Sequence, residues 1–406
     1  MKNLETLILE LCPDGVEFVK LGDVCEIKGR IGFRGYTRKD LVSESEGAIT
    51  LSPSNIINGN IVYDKCSYIS WAKYEESPEI MAEVGDVVFT KTASVGKTAY
   101  IENMPKEMTI NPQLVLLKKF RGISKYLAYI LKTTYFQNEV KKITGVGSVP
   151  NVPQSSLAKI EIPLPPIEVQ AEIVRILDKF TSLEAELEAE LDCRKRQYEY
   201  YRDKLLSFDT VGGQEVTISK IGDIGRICMC KRIMKNQTNS ESGIPFYKIG
   251  TFGKVADAYI SNDVYEEYKK MYSYPKKGDI LMSASGTIGR TVVFNGEPSY
   301  FQDSNIVWVD NDETKVFNSY LNYYYQIIEW KTQGGTIKRL YNNLLAGATI
   351  KYPSLEEQRR IVSILDRFES LTTSLQSGLP AEITARRQQY EHYRDKLLTF
   401  KRKGVA

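Results

Sequence analysis

The 406-residue sequence is 42% hydrophobic and 26% charged, with a formal net charge of +3. This is the composition of a globular chain too long for one ordinary core, so two or three domains are expected, and a disordered or uniformly basic polypeptide is excluded. No run approaches the roughly 20 apolar residues that span a bilayer, and the single histidine, His392, leaves no material for Ser-His-Asp, Cys-His or His-ligated metal chemistry. A cytoplasmic protein without membrane attachment is expected.

Residues 1–14 read as a helical lead-in whose apolar run is broken by Glu5 and Glu10. Residues 15–166 read as a first globular domain. It carries the basic, glycine-rich stretch KGRIGFRGYTRK, with Lys28, Arg30, Arg34, Arg38 and Lys39 and the rings of Phe33 and Tyr36 interleaved. LSPSN follows, offering Ser52, Ser54 and Asn55, and then TKTASVGKT, residues 90–98, offering Lys91, Ser94 and Lys97. VVFT and TAYI have strand character, and residues 125–143 have helical spacing. The six cysteines, Cys12, Cys25, Cys66, Cys193, Cys228 and Cys230, lack the paired spacing of a zinc site and are expected to be reduced thiols, mostly in cores.

Residues 167–208 read as one long helix. Ile173, Leu177, Phe180, Leu187, Leu191, Tyr198, Tyr201, Leu205 and Phe208 recur at steps of three and four, a heptad seam interrupted at Glu184 and Arg194. At 1.5 Å per residue such a helix is about 60 Å long.

A second domain, residues 209–353, repeats the first. SKIGDIGRICMC matches VKLGDVCEIKGR, and KKGDILMSASGTIGRTVVF matches EVGDVVFTKTASVGKTAYI. CKRIMKNQTN stands where the first basic loop stands, with Lys231, Arg232, Lys235, Asn236 and Gln237, and further polar candidates are Lys248, Lys254, Ser285, Thr287, Arg290, Lys338 and Arg339. Helical spacing returns at 319–333. Residues 354–402 repeat the long helix: IVRILDKF recurs as IVSILDRF, and RQYEYYRDKLLSF as QQYEHYRDKLLTF. The second copy carries four extra residues between Phe368 and Tyr390, and Ser377-Gly378-Leu379-Pro380 within it predicts a kink or break. The fold expected is α+β: two pseudo-symmetric globular α/β domains separated by two long antiparallel coiled-coil helices.

Gly96-Lys97-Thr98 raises the question of an ATPase. A phosphate-binding loop needs glycine five residues before its Gly-Lys, a place held here by Lys91 and in the duplicate by Ala284, while Lys97 becomes Arg290. Both segments follow Gly-Asp and a strand and precede a strand, so a glycine turn is expected, its cation suited to a phosphate or base contact.

Two similar domains with basic loops at equivalent places, held by helices of fixed length, suit two half-sites on duplex DNA: Lys and Arg contact phosphates, and Arg, Asn and Gln read base edges. The paired domains, the QYEYYRDKLLSF and QYEHYRDKLLTF helix ends, the GDVVFTKTASVGK and GDILMSASGTIGR segments and the turns IPLPPIEVQAEIV and YPSLEEQRRIV resemble the specificity (S) subunit of type I restriction-modification systems. The resemblance covers essentially the whole chain. It implies that residues 15–166 and 209–353 are target-recognition domains, each reading half of a bipartite DNA sequence. It implies too that the helices set the spacer and dock two methyltransferase (M) subunits, with motor-nuclease (R) subunits joining for restriction. S-adenosylmethionine, ATP and magnesium would then belong to the partners, and this chain would not itself be an enzyme. Repetition of the exposed Arg202, Asp203 and Lys204 as Arg394, Asp395 and Lys396 fits such docking. A nucleotide hydrolase and a protein-only scaffold are the other readings left open.

Overall fold

The structure, a computed structural model, describes residues 4–30, 35–145, 147–208, 216–335, 338–373 and 378–404. The chain divides into two compact units, one formed by Met1–Glu188 with Ile383–Ala406 and the other by Ala189–Glu382. Each unit therefore takes in part of both long helical regions.

In the first unit an antiparallel sheet runs Glu26–Lys28, Leu114–Lys118, Val87–Thr90, Thr98–Tyr100. Its two inner strands are buried on both faces, which is why they read as unbroken apolar runs. Side-chain alternation divides them between two cores. Val87, Phe89, Val115 and Leu117 join Tyr126, Leu127, Phe136, Ile173 and Leu177, whereas Val88, Leu114 and Leu116 join Ile49, Leu51, Met108 and Ile110. The second core is backed by a sheet ordered Met108–Ile110, Gly47–Leu51, Ser67–Ser70, Leu41–Val42, its first pair parallel. A two-stranded ribbon, Phe18–Lys20 with Glu161–Pro163, completes the domain framework.

The second unit repeats these three sheets, without a counterpart among the described residues of the first unit's extra ribbon Ile56–Ile57 with Asn60–Ile61. Gly225–Cys228, Ile306–Asn311, Ile280–Ser283 and Thr291–Val293 form the first sheet. Thr238–Asn239, Tyr259–Ile260, Ile244–Tyr247 and Tyr300–Phe301 form the second, again with one parallel pair, and Thr217–Lys220 pairs with Thr349–Tyr352. Ile280, Met282, Val307 and Val309 face one core, and Leu281, Ile306 and Trp308 the other. The repeated Gly-Asp near the start of each domain has a packing cause. A Cβ on Gly22 would lie 2.9 Å from the Ala158 methyl, and one on Gly222 3.2 Å from that of Ala346.

The long helix spans Ile167–Ser207, within a residue of the expected range. The C-terminal region forms Leu355–Thr373 and Gly378–Leu397. Gly378 has φ 78°, and a Cβ there would sit 2.8 Å from the carbonyl oxygens of Ser370 and Leu371, so glycine is required at the expected break. Ser377 lies outside the described residues, and Leu379 and Pro380 fall in the first turn of the second helix.

The heptad seam is only partly a helix-helix seam. Ile173 and Leu177 are buried in the first unit's core, and Ile361 and Leu365 in the second's. Leu206 rather than Leu205 is the fully buried leucine of its pair. True interhelical contacts begin at the aromatics. Phe180 stacks on Tyr393 at 5.6 Å and 24°, and Phe368 stacks on Tyr201 at 5.8 Å and 26°. In the first unit Arg387 grips Glu184 at 2.5 Å and also Glu188; going from Phe180 to Glu184 the partners fall from Tyr393 to Arg387, an antiparallel order.

Each long helix begins with a buried glutamine that locks it to its domain. Gln170 accepts from the Ile123 N–H (3.0 Å) and donates to the Pro165 carbonyl (2.8 Å). Gln358 accepts from the Phe317 N–H (2.9 Å) and donates to the carbonyls of Lys315 and Pro353 (both 2.9 Å).

Two helices differ from expectation. Residues 125–143 form Ser124–Ile130 and Thr134–Ile143, separated where the Thr133 hydroxyl caps the second helix by accepting from the Phe136 N–H at 3.2 Å. Residues 319–333 are helical only within Asn318–Tyr324. Beyond it Ile327, Ile328 and Trp330 pack against the core from a non-helical chain.

The lead-in helix is Leu4–Leu11, and its Leu4 reaches the first core. The strip after Leu397 returns to the same place. The Val16 N–H donates to the Lys401 carbonyl (2.8 Å), the Lys403 N–H to that of Val16 (3.0 Å), and Arg402 meets Glu161 at 2.5 Å. Cys12, Cys25, Cys228 and Cys230 are buried, and burial pushes the Cys25 and Cys230 thiols up to about 12. Cys66 is half-buried and Cys193 exposed. Among the described residues no helix is long and apolar enough to cross a membrane.

Candidate nucleic-acid interface

The glycine segments are hairpin turns joining antiparallel strands. The Thr90 N–H donates to the Lys97 carbonyl (2.8 Å) and the Gly96 N–H to that of Thr90 (3.0 Å). The Ser283 N–H to Arg290 carbonyl (2.9 Å) and Gly289 N–H to Ser283 carbonyl (3.0 Å) bonds reproduce the pattern. Gly96 and Gly289 have φ of 93° and 85°, so the glycine serves the turn. A phosphate loop would open a helix, and neither segment does.

The repeated cation of the turn, exposed at Lys97 and half-buried at Arg290, also has a structural contact in each domain. Lys97 Nζ donates to the carbonyls of Pro53 (3.1 Å) and Ile56 (3.2 Å), and Arg290 Nη1 donates to that of Phe252 (2.8 Å). Each ties the hairpin to the loop that follows the same strand of its sheet.

Beside each hairpin runs a second loop. In it Gly145 bridges to Asn151 in the first domain, and Gln333 to Arg339 in the second. Each then pairs with the glycine turn, at Thr92 with Asn151 and at Ser285 with Arg339. The Val152 N–H donates to the Lys91 carbonyl (2.8 Å) and the Leu340 N–H to that of Ala284 (2.9 Å), the same bond in both copies.

A third segment lies next to the turn. The Lys91 N–H donates to the Gln113 carbonyl (2.9 Å) and the Ala284 N–H to that of Asn305 (2.7 Å). The basic loops reach it as a fourth. Arg232 pairs with Asp303 at 2.9 Å, and Arg30 donates to the Ile110 carbonyl and the Thr109 hydroxyl, both at 3.4 Å. Four loops thus converge on one edge of each domain.

Ser94, Thr287, Lys338 and Arg339 are exposed there, as is Val149. Lys91 is half-buried, and desolvation lowers its amine. Arg38 and Lys39 are exposed on a short turn that Asp40 holds by accepting from the Thr37 N–H at 2.6 Å, a bond that lowers the Asp40 carboxyl. Lys28 is tied to Glu26 at 3.3 Å, and Lys248 to Asp257 at 2.8 Å. Lys231 lies over the Tyr272 ring at 4.8 Å. Lys235, Asn236 and Lys254 are exposed, whereas Gln237 donates to the Tyr268 hydroxyl at 3.1 Å. Ser54 is exposed, its hydroxyl shared with Ser52 at 2.6 Å. Phe33 and Arg34 lie outside the described residues.

Three expected contact residues are buried and revise the expectation. Arg30 lies beneath the basic loop against the Tyr36 ring, 5.3 Å away, and burial lowers its guanidinium. Asn55 accepts from the Ser52 N–H and hydroxyl (2.9 Å each) and shapes its own turn. Ser285 donates to Asn305 Oδ1 at 2.7 Å. Their polar atoms position the edge rather than face solvent. Thr92, Gln113, Asn151 and Asn305 belong to the edge but were not candidates from sequence. The duplication was the available signal, since each aligns with a residue of the other copy at the same bridge.

A family model described as the type I restriction modification DNA specificity domain matches residues 13–192 and 213–385. A putative type I restriction enzyme specificity subunit of Haemophilus influenzae is 57% identical over 256 residues, covering 61% of this chain and 66% of that protein. The EcoR124I/EcoR124II type I restriction enzyme specificity subunit of Escherichia coli is 34% identical over 270 residues, covering 60% of this chain and 64% of that protein. The chain thus spans just under two thirds of these relatives' lengths. A chain from a solved structure describing assembly and conformational transition of the type I R-M system shares the fold, with a TM-score of 0.61 at 21% identity over 97% of this chain and 99% of that one.

Proposed function

Because this chain belongs to the type I restriction-modification DNA specificity domain family, we propose that it is the non-catalytic DNA-reading subunit of such a system, each domain reading one half of a bipartite duplex target. The observation that carries this reading is the four-loop edge: three of its segments are joined by the same backbone bonds in both domains, while the side chains on it differ. Thr92 faces Ser285, Ser94 faces Thr287 and Asn151 faces Arg339 across the alignment. A constant frame with changed tips suits two readers of two different half-sites.

On this proposal the long helices fix the spacer and dock two methyltransferase subunits, and motor-nuclease subunits join for restriction. S-adenosylmethionine, ATP and magnesium are bound by those partners, and the assembly works in the cytoplasm. Methylome sequencing of cells expressing this chain with its methyltransferase subunit tests the reading. A bipartite methylated sequence is expected, and exchanging residues 15–150 for another such domain should change one half and leave the other. If the exchange altered both halves or neither, the one-domain, one-half assignment would be lost. A protein-only scaffold would instead show duplex binding that does not weaken with added salt.

A further inference from the structure

The two domains differ at one polar position beside the helices, half-buried in the first domain and exposed in the second. Tyr129 and Tyr323 occupy equivalent places, each donating a hydroxyl at 2.5 Å to an equivalent aspartate, Asp178 or Asp366. Three residues further on stand Lys132 in the first domain and Gln326 in the second. Gln326 Oε1 is an acceptor, taking the Tyr198 hydroxyl at 3.4 Å and Arg202 Nη1 at 3.2 Å. The first unit keeps the matching donors, Tyr390 and Arg394, but puts a cation where the acceptor stood.

Lys132, Tyr390 and Arg394 line a cleft of about 750 Å3, together with Lys97, Lys125 and Arg387. The carboxylates facing it are largely engaged. Asp178 holds Tyr129 and Lys125 (3.0 Å), Glu102 holds Lys125 (3.1 Å), Glu184 holds Arg387 (2.5 Å), and Asp395, from the next helix position, holds Arg394 (2.9 Å). Glu391 is exposed at the cleft wall. Among the described residues no carboxylate pairs with Lys132. Its amine meets the Gly59 carbonyl at 3.3 Å and the Tyr129 ring at 5.9 Å. Burial, then the charges of Arg394 and Lys125, hold that amine down to about 8.

We propose that this cleft is an oxyanion site, in which a phosphate or sulfate group lies between Lys132 and Arg394 and accepts from both. Such a group restores the acceptor that Gln326 supplies in the second domain and gives a counter-charge to Lys132, with which no carboxylate pairs among the described residues. Binding raises the Lys132 amine, so affinity is greatest below pH 8 and falls as the free amine loses its proton above it.

The test is calorimetric titration of sulfate, which stays fully ionised, into the full chain at pH 7 and pH 9. Saturable binding that weakens at the higher pH is expected. Lys132→Gln, which installs the second domain's own residue, should lower sulfate affinity at pH 7 by about tenfold or more and remove the pH dependence. No saturable binding by the natural chain, or identical isotherms for chain and variant, overturns the proposal. A parallel duplex titration identifies the source of the group. If sulfate competes with duplex and the variant binds duplex more weakly, the phosphate is the DNA backbone's; if duplex binding is unchanged, the occupant is a free oxyanion. Because sulfate binding is read without DNA, its result stands apart from the DNA-reading proposal.

Discussion

The two domains share their apolar framework and differ in how its edges are charged. In the first, Lys118 pairs with Asp86 at 2.6 Å and Glu83 at 3.3 Å and lies opposite Glu26 in the sheet. In the second, the same places carry Asp310, Lys276 and Arg226: Asp310 pairs with Lys276 at 2.9 Å and lies opposite Arg226. The sign is reversed at all three positions. Only the aspartate of Gly-Asp stays fixed, because Asp86 and Asp279 each accept a backbone N–H, from Glu83 (2.9 Å) and Lys276 (2.7 Å), and so hold the turn into the strand. A hydrogen bond to backbone constrains residue type, whereas an ion pair constrains only the product of two signs.

The contrast can be broken first at its most buried point. Lys118 sits over Asp86, and both side chains are less than a tenth exposed, whereas Lys276 is open to water. Lys118→Ala should therefore cost about 3 kcal/mol by stranding a buried carboxylate. Asp310→Ala should cost less than about 1 kcal/mol. Denaturant unfolding followed by hydrogen exchange in each domain's central sheet separates the two, and equal losses would contradict the burial argument.

A smaller difference is expected at the glutamine locks. Gln358 makes one more carbonyl contact than Gln170, so Gln358→Ala should cost about 2 kcal/mol and Gln170→Ala about 1 kcal/mol less. The same unfolding measurement ranks them.

The smallest effect on stability should come from the edge itself, where the readout moves to DNA. Arg339→Ala should leave the melting temperature unchanged and lower the salt slope of duplex binding by about one. Lys97→Met, which unties a hairpin, should do the reverse: a loss of about 1 kcal/mol of stability with the salt slope retained. A salt slope that moved with Lys97 and not with Arg339 would return the turn cation to the DNA contacts.

Much of this was legible in the chain because duplication makes an internal comparison possible. The strands VVFT and DILM, the Ile167–Ser207 helix and the break at Gly378 follow from local rules of alternation, periodicity and glycine geometry. The carbonyl contacts of Lys97 and Arg290 did not. A repeated cation in a polar turn looks the same in sequence whether it faces a phosphate or a carbonyl, and the Pro53, Ile56 and Phe252 carbonyls that capture these two are set by tertiary packing. Arg30 differs for a related reason: its basic neighbours read as an exposed patch, but it is buried against the Tyr36 ring. The heptad seam overstated helix pairing, since periodicity shows which face is apolar and not whether a helix or a domain core covers it.

The strip that pairs with Val16 sets an order of events during synthesis. Gly15, at φ 97°, leaves room for the Lys401 carbonyl, which a Cβ would approach to 2.6 Å, so the joint is built for a partner translated far later. Residues 189–382, the whole of the other unit, leave the ribosome between the two sides of that joint. At about 5–20 residues per second the first domain waits on the order of ten seconds or more with its closing strip unmade. The domain that begins the chain is therefore the last to be completed, and for that interval the faces of Leu4 and Val16, and the core that Leu398 will close, are open to chaperones.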